Sequence, residues 1–384
     1  MSIKLVMKKI TLHYVTSARL PTERAHGTQI VKTCEAFARA GAEVTLVKPR
    51  KTYIHEEVNI FSYYTVDQLF KTLDISATDF LGATYRFGRF LYWIDTITFI
   101  FSLTLRLQLR TGDVLYTRDP ILVLPFSKSK YNLCVELHEL PRLNFFVRKS
   151  LKKASYIVVL NSILKKELIA LGFDEHKICV AGDAVDLREF AISDDVIEAR
   201  RKVSLPKDPP IALYAGHLYG WKGADIFAEA SRLIPQVQCV CVGGVEPEFS
   251  VFRNRFKDIS NLEILPFQKR TIIPFFLKSA SVLVLPNSRT EAISAKYTSP
   301  LKLFEYMASK RPIVSSDLPS LREVLNDSNA YFFEPDDSKS LARVIALAIQ
   351  NNNEAEKKAH QAYQDVALHT WDARARNILN FIQS

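Results

Sequence analysis

Two lysines and a glutamate, set at expected helix starts, carry the most chemistry in this chain. Tyr297-Thr-Ser-Pro-Leu-Lys-Leu-Phe-Glu-Tyr-Met-Ala308 opens with small residues and a proline. Helical spacing follows, with Leu301, Phe304 and Met307/Ala308 on one face. Lys302 and Glu305 lie three residues apart, so both point the same way from the first turns. A helix start presents free N–H groups and a partial positive charge, which suits an anion. Lys302 adds a full charge, and Glu305 offers two acceptor oxygens to hydroxyls. A cation beside a hydroxyl acceptor at a helix N-terminus is what a nucleoside diphosphate requires.

Leu213-Tyr-Ala-Gly-His-Leu-Tyr-Gly-Trp-Lys-Gly223 uses a similar device: a strand, a glycine-bearing turn and a helix start. Gly216 and Gly220 let the backbone approach a ligand, and Lys222 at the helix mouth can reach a diphosphate. One such lysine alone reads better as a solvated surface residue. The two lysine-bearing turns lie in the same half of the chain. Val242-Gly-Gly-Val245 is a strand-end glycine pair. Phe267 lies just after a strand, where an aromatic is more often core.

In the first half, Cys134-Val-Glu-Leu-His-Glu-Leu-Pro141 closes a strand and leaves His138 at its end. Arg19–Gly27 is the loop after the first strand. Gly27 and Thr28 open the next helix and can meet a hydroxyl or phosphate.

The elements that must hold these residues alternate between strands and helices. Ile10–Val15, Glu43–Val47, Asp113–Arg118, Asn132–Leu137, Ser155–Leu160 and Ile178–Val180 read as strands, and Gly27–Arg39 as a helix capped by Gly41. After the polar stretch Asp194–Pro210, strands follow at Ile211–Ala215, Val237–Val242, Leu262–Leu265, Ser281–Leu285 and Pro312–Ser315. Ala224–Leu233 and Asp336–Gln350 read as helices, and Glu354–Ile382 as helical with Trp371 inside. This α/β pattern argues two doubly wound Rossmann-like halves, with ligands bound in a cleft at the strands' carboxyl ends.

The Tyr297–Ser316 segment resembles the nucleotide-sugar signature of glycosyltransferase family 4, retaining enzymes of the GT-B fold, and its serine-proline-x-lysine branch in particular. That family carries a glutamate pair across this turn and helix. Glu305 matches the second, expected on the ribose hydroxyls, and Tyr297 replaces the first. Glu291 is a candidate substitute, although a solvated loop acid is the plainer reading. The small residues whose N–H groups face the phosphates fall on Ser299, Pro300 and Leu301, and Pro300 has no N–H to give. Gly216–Gly223 looks like the family's glycine-arginine-leucine-x-x-x-lysine-glycine element, with Lys222 matching the phosphate lysine and His217 replacing the arginine.

The resemblance also places His138 beside the donor sugar and acceptor, with Glu139 in the place of the usual acid. Gly27 and Thr28 fall in the loop over the acceptor site, where Arg24 and His26 either set acceptor choice or are solvated. The implied domains are 1–195 for the acceptor, 205–365 for the nucleotide sugar, and 366–384 as a helix returning to the first domain. His138, Lys222 and Glu305 are the expected catalytic set. The diphosphate falls to Gly216, His217, Lys222, Ser299, Leu301 and Lys302, and the nucleoside to Gly243, Phe267 and Glu305.

Bulk properties agree with such an enzyme. With 384 residues, 48% apolar and 24% charged, the chain can bury two cores. Its net charge of +10 is spread over both halves, which argues against a nucleic-acid partner. Five cysteines without zinc-type spacing read as reduced thiols in a cytosolic protein. Met1–Val6 is too brief for a signal peptide. Phe87–Leu109 is interrupted by Arg89, Asp95 and Arg106, and its uncharged run Thr96–Leu105 is about half the ~20 residues a span needs. No Asp-x-Asp, Gly-x-Gly-x-x-Gly or P-loop pattern occurs, so no metal or cofactor is expected. The diphosphate charge then falls to Lys222, Lys302 and helix starts.

The implied reaction moves a sugar from a nucleoside diphosphate to a glycan or lipid-linked acceptor with retention of configuration. The leaving phosphate itself can take the acceptor's proton, so no protein nucleophile is assigned. The alternatives are a nucleotide-sugar epimerase or hydrolase on the same fold, or a non-catalytic binding module. Arg142–Lys153 interleaves Phe145, Phe146 and Leu151 with Arg148, Lys149, Lys152 and Lys153. It suits either a helix lying on anionic lipid at the inner face of the cell membrane or a core-facing helix with a wet basic side.

Overall fold

The computed structural model describes residues 10–50, 58–78 and 88–384. Met1–Val6 and Phe87, on which two of the readings above touch, lie outside them. The chain divides into two compact units: Met1–Leu160 with Leu164–Ala181 and Trp371–Ser384, and Asn161–Ile163 with Gly182–Thr370.

The first unit holds a seven-stranded parallel sheet. Its strands are β1 (Thr11–Val15), β2 (Glu43–Pro49), β3 (Lys71–Ile75), β4 (Val114–Thr117), β5 (Asn132–Leu137), β6 (Tyr156–Val159) and β7 (Ile178–Val180). Their order is β3-β2-β1-β4-β5-β6-β7. Strands covered on both faces are nearly continuous apolar runs, and β4 is buried throughout. The second unit repeats the design with six parallel strands in the order β10-β9-β8-β11-β12-β13. These are β8 (Ile211–Ala215), β9 (Gln238–Val242), β10 (Leu262–Leu265), β11 (Val282–Leu285), β12 (Ile313–Ser316) and β13 (Tyr331–Phe333). Each is a doubly wound α/β sheet whose strand order reverses once, between β1 and β4 and between β8 and β11. Loops leaving the carboxyl ends of those pairs diverge there and open room for a ligand.

The structure departs from the sequence reading in three places. First, β3 and β13 were not read as strands; β3 is an edge strand with four exposed residues, and β13 has only three residues. Second, Glu354–Ile382 is not one helix. It breaks between Asn352–Asp365 and Trp371–Gln383, where Thr370 pairs with Val185 and the carbonyl of His369 accepts from the Val185 N–H at 3.0 Å. Third, the seam between the units falls after Ala181, ahead of 195. Val185 and Phe190 join the second unit's core, which draws the polar stretch with them.

Trp371–Gln383 packs on the helix Ala25–Arg39 and groups with the first unit. No helix among the described residues is long and apolar enough to cross a membrane.

Candidate functional site

The carboxyl edge of the second sheet is built on glycines that approach one another. The N–H of Gly216, just past β8, donates to the carbonyl of Val242 at 2.8 Å. That of Gly243, just past β9, donates to Leu265 at 3.0 Å. Gly243 has φ +127°, and a Cβ there would lie 2.3 Å from the Gly216 carbonyl oxygen. Only glycine fits. Further on, a Cβ on Gly223 would lie 1.7 Å from the carbonyl oxygen of Pro286, at the end of β11. The Trp221 carbonyl accepts from the Ser288 N–H at 3.0 Å and the Ser294 hydroxyl at 3.1 Å. The β8 loop is therefore fixed to the β11 loop across the point of strand reversal.

Both lysines sit on this frame. Lys302 follows the first residue of the helix Leu301–Ala308, whose N-cap Pro300 makes no side-chain capping bond. Its Nζ is buried, has no hydrogen-bond partner and lies 4.1 Å from the Tyr214 ring centroid. Tyr214 in turn donates its hydroxyl to the His217 carbonyl at 2.6 Å. One tyrosine thus ties down the turn and holds the ammonium by a cation–π contact. Burial, followed by the Lys222 charge, drives the Lys302 pKa far down.

Half-buried Lys222 has its Nζ 5.2 Å from the Trp221 ring and 5.6 Å from that of Tyr219. Burial lowers its pKa to about 8. His217 stacks on Tyr219 with centroids 5.2 Å apart. Two desolvated lysines, the one repelled by the other, make a site that gains by taking an anion. Among the described residues no group of three or more His, Cys, Asp or Glu is placed to hold a metal ion.

Glu305 lies one helical turn beyond Lys302. Its Oε1 accepts from Nη1 of Arg270 at 2.9 Å, and Arg270 bonds Glu189 at the same distance. Arg270 is a residue the sequence reading missed; the basic Lys269-Arg270 pair just after Phe267 was its signal. Phe267 is 42% exposed, so it is not a core aromatic. Its N–H donates to Gly244 at 3.0 Å, beside Gly243. The Ser299 hydroxyl accepts from the Asp183 N–H at 3.0 Å, so that oxygen is engaged within the protein. Leu301 begins the helix half-buried, Tyr297 is buried, and Glu291 is exposed.

In the first unit His138 follows β5. Its Nε2 lies 2.5 Å from Oε1 of Glu136, a wholly buried carboxylate. The acid that touches His138 is therefore Glu136 and not exposed Glu139. Alternation along an extended chain places residues two apart on one side and sends Glu139 to the other. Burial, then the nearby Arg118 charge, lowers the His138 pKa to about 4.

The helix expected to open at Gly27 begins at Ala25. The space Gly27 leaves is filled by Tyr64, since a Cβ would lie 2.2 Å from that hydroxyl. Tyr64 accepts from the Thr22 N–H at 2.7 Å. Gly27 thus has a packing reason inside the protein. Thr28 is half-buried and Arg24 exposed, and burial lowers the His26 pKa to about 4.

The helix Phe145–Lys153 is capped by Asn144, whose side chain accepts from the Val147 N–H at 2.9 Å. It buries Val147, Ser150 and Leu151, so Leu151 belongs to the core and not to an outer apolar face. Phe145 and Phe146 remain 71% and 57% exposed beside Lys149, Lys152 and Arg148.

Known proteins share this architecture. Residues 195–365 match the family model of the glycosyl transferases group 1. The D-inositol 3-phosphate glycosyltransferase of Xylanimonas cellulosilytica is 24% identical over 229 residues, which are 56% of this chain and 53% of that protein. The match spans about half of each. Sucrose-phosphate synthase of Thermosynechococcus elongatus superimposes with a TM-score of 0.77 at 17% identity, covering 98% of both chains. HepE of Anabaena, solved with UDP and glucose, gives 0.71 at 14% identity, covering 98% of this chain and 100% of its own. WaaG, a glycosyltransferase involved in lipopolysaccharide biosynthesis, gives 0.67 at 12% identity, covering 97% and 100%. The fold is GT-B, two parallel-sheet Rossmann-like domains.

Proposed function

We propose that this protein is a retaining glycosyltransferase that moves a sugar from a nucleoside-diphosphate sugar to a hydroxyl of a glycan or lipid-linked acceptor. One observation carries the reading: the partnerless, buried ammonium of Lys302 over Tyr214, with Lys222 near enough to perturb it. It lies within the segment that matches the group 1 family model. A diphosphate supplies counter-charge to both lysines and takes more negative charge as the sugar leaves. Fixed cations in a water-poor site favour that change. We assign the diphosphate to Lys222, Lys302 and the backbone at His217 and Leu301, without a metal; Gly216, whose N–H is taken by Val242, serves by letting the chain come close. Glu305, held by Arg270, takes the ribose hydroxyls, exposed Phe267 takes the base, and Gly243 allows their approach. His138 is assigned to a sugar hydroxyl, and Thr28 to the acceptor loop.

UDP sugars are the first donors to test, since HepE was solved with UDP and glucose. A thermal-shift screen of UDP, GDP and ADP sugars, with EDTA present, reads donor class and metal independence together. A stabilisation by one nucleotide series that vanishes in both Lys222→Met and Lys302→Met supports the reading. Equal binding by both variants overturns the phosphate assignment. Turnover of the sugar nucleotide without an acceptor would instead mark a hydrolase or epimerase.

We also assign Phe145, Phe146 and the adjacent basic residues to an anionic membrane surface, which would place the protein on the cytoplasmic face of a membrane. Sedimentation with vesicles containing phosphatidylserine should fall in a Phe145→Ser/Phe146→Ser variant. Unchanged sedimentation rules this surface out.

A further inference from the structure

The mechanism above uses His138 but leaves unexplained the wholly buried carboxylate beneath it. Glu136 Oε1 takes His138 Nε2 at 2.5 Å, Gln29 Nε2 at 2.7 Å and Arg374 Nη2 at 2.9 Å. Its Oε2 accepts from the Tyr116 hydroxyl. Gln29 is itself oriented by Arg118, whose Nη1 donates to its Oε1 at 2.9 Å. Three hydrogen-bond donors and an ion-paired arginine thus converge on one carboxylate: Tyr116 from β4, His138 just past β5, Gln29 from the helix Ala25–Arg39, and Arg374 from the C-terminal helix Trp371–Gln383. That is a built arrangement, and a core packing need alone would be met by an apolar residue.

We propose that Glu136 is the positioning residue of His138, fixing the imidazole in the tautomer that carries its proton on Nε2 and leaves Nδ1 as a lone-pair acceptor for a sugar hydroxyl, with Arg374 holding Glu136 in place for that task. The inference rests on the assignment of His138 made above and deepens it. An ionised carboxylate only accepts, so a neutral imidazole bonded to it must donate from Nε2. Glu136 is ionised: Arg374, His138 and Arg118 outweigh its burial and hold its pKa well below the usual range.

Among the described residues, the charged and titratable groups facing this pair include Arg118 beyond β4, Arg374 on the C-terminal helix, Tyr14 on β1, Tyr116 on β4, Cys134 on β5, and Cys34 on the helix Ala25–Arg39. Burial raises both thiols and both phenols, so these remain neutral. Two arginines then face one carboxylate, and with burial they keep the imidazole uncharged down to about pH 4. Such an imidazole is a poor base. It orients a hydroxyl through Nδ1 and leaves the proton to another acceptor. A lone pair at this point also disfavours carboxylate and phosphate groups, which have no proton to offer.

The test is the tautomer itself. Long-range ¹H–¹⁵N spectra of the full-length, histidine-labelled protein read it without any turnover. The expected result, from about pH 6 to about pH 8, is a single His138 state with Nε2 protonated and Nδ1 bare. A proton on Nδ1, or on both nitrogens, overturns the inference. Glu136→Gln keeps the shape and removes the charge. It should give mixed tautomers and lower kcat roughly 10- to 100-fold, the usual cost of losing an orienting partner, with little change in KM. Wild-type kcat in that variant also overturns the inference. If the variant does not fold, the wild-type spectrum still decides. A correct tautomer in a protein that binds no nucleotide sugar would overturn the proposed function and leave the Glu136–His138 relation standing.

Discussion

Arg270 Nη1 donates to Glu305 Oε1 at 2.9 Å, while Nη2 of the same guanidinium lies 2.9 Å from Glu189 Oε2. The carboxylate assigned to the ribose is therefore clamped from one side. A planar guanidinium does this with little loss of freedom, because its fork is rigid. A clamped carboxylate presents its second oxygen in one direction, and that preorganisation is what nucleoside recognition needs.

Arg270→Leu removes the clamp and leaves two partly buried carboxylates facing each other without their cation. Breaking a buried pair costs about 3–5 kcal/mol, and the partial exposure here reduces that to about 1–3 kcal/mol. Chemical denaturation should show this loss. Calorimetry should show nucleoside-diphosphate affinity down by about tenfold or more, since orientation is lost along with charge. Arg270→Lys should recover stability better than affinity. Full affinity in Arg270→Leu would separate Glu305 from nucleoside recognition.

Lys302→Met should act in opposite directions on stability and binding. The ammonium is buried, has no hydrogen-bond partner and is perturbed by Lys222. Methionine fills similar space without the desolvation cost. The free protein should gain about 1–2 kcal/mol, as site residues often give when replaced. Diphosphate affinity should fall by about 100-fold or more, because the lost contact is charge-assisted. A destabilised Lys302→Met protein would show that the ammonium has a role in the fold.

How far the site could be read from sequence depends on how local each signal was. Lys222, Lys302 and Glu305 stand in short runs where a glycine turn or proline precedes a helix, so spacing marked them as helix-start residues, and the family resemblance supplied their expected roles. Arg270 and Tyr214 act through contacts with residues distant in sequence, and nothing local marks a half-buried arginine bridging two glutamates. Glu136 was visible in Glu136-Leu-His138, where strand alternation puts both on one side. The following Glu139 drew the reading away because a familiar histidine-acid pair was expected there. β3 was missed because an edge strand lacks a buried face to impose alternation. The break before Trp371 was missed because it depends on pairing of Thr370 with Val185, far away in the chain.

Gly243→Ala and Gly216→Ala should separate close approach from backbone strain. Both positions have positive φ, +127° and +146°. A methyl at Gly243 meets the Gly216 carbonyl oxygen at 2.3 Å, a backbone atom that cannot move aside. At Gly216 the first neighbour is the Tyr214 hydroxyl, at 3.3 Å. Backbone strain of this kind costs about 1–3 kcal/mol, and the Gly243 variant adds an overlap of about 1–3 kcal/mol more. Thermal denaturation should therefore rank Gly243→Ala clearly below Gly216→Ala, and equal melting points would contradict the close approach of the two loops.

The pH dependence of donor binding follows from the sign of the lysine shifts. In the free protein burial holds Lys222 at about 8, and Lys302 is pushed down by burial and by Lys222. A bound diphosphate favours the charged form and raises both values, so the complex holds more protons than the free protein. Linkage then makes affinity fall as pH rises through the free-protein value. For Lys222 this begins near pH 8, and well below that pH it contributes no slope, being protonated in both states. Lys302 adds proton uptake in the same direction. A nucleoside-diphosphate sugar is the right probe, because its pyrophosphate diester carries constant charge in this range. Calorimetry in buffers of different ionisation enthalpy should show proton uptake at about pH 8, and affinity should drop roughly tenfold by about pH 9. Lys222→Met should reduce the uptake by the share this residue carries. Affinity that stays flat from about pH 7 to about pH 9, with no proton taken up, would mean the diphosphate is held by other groups.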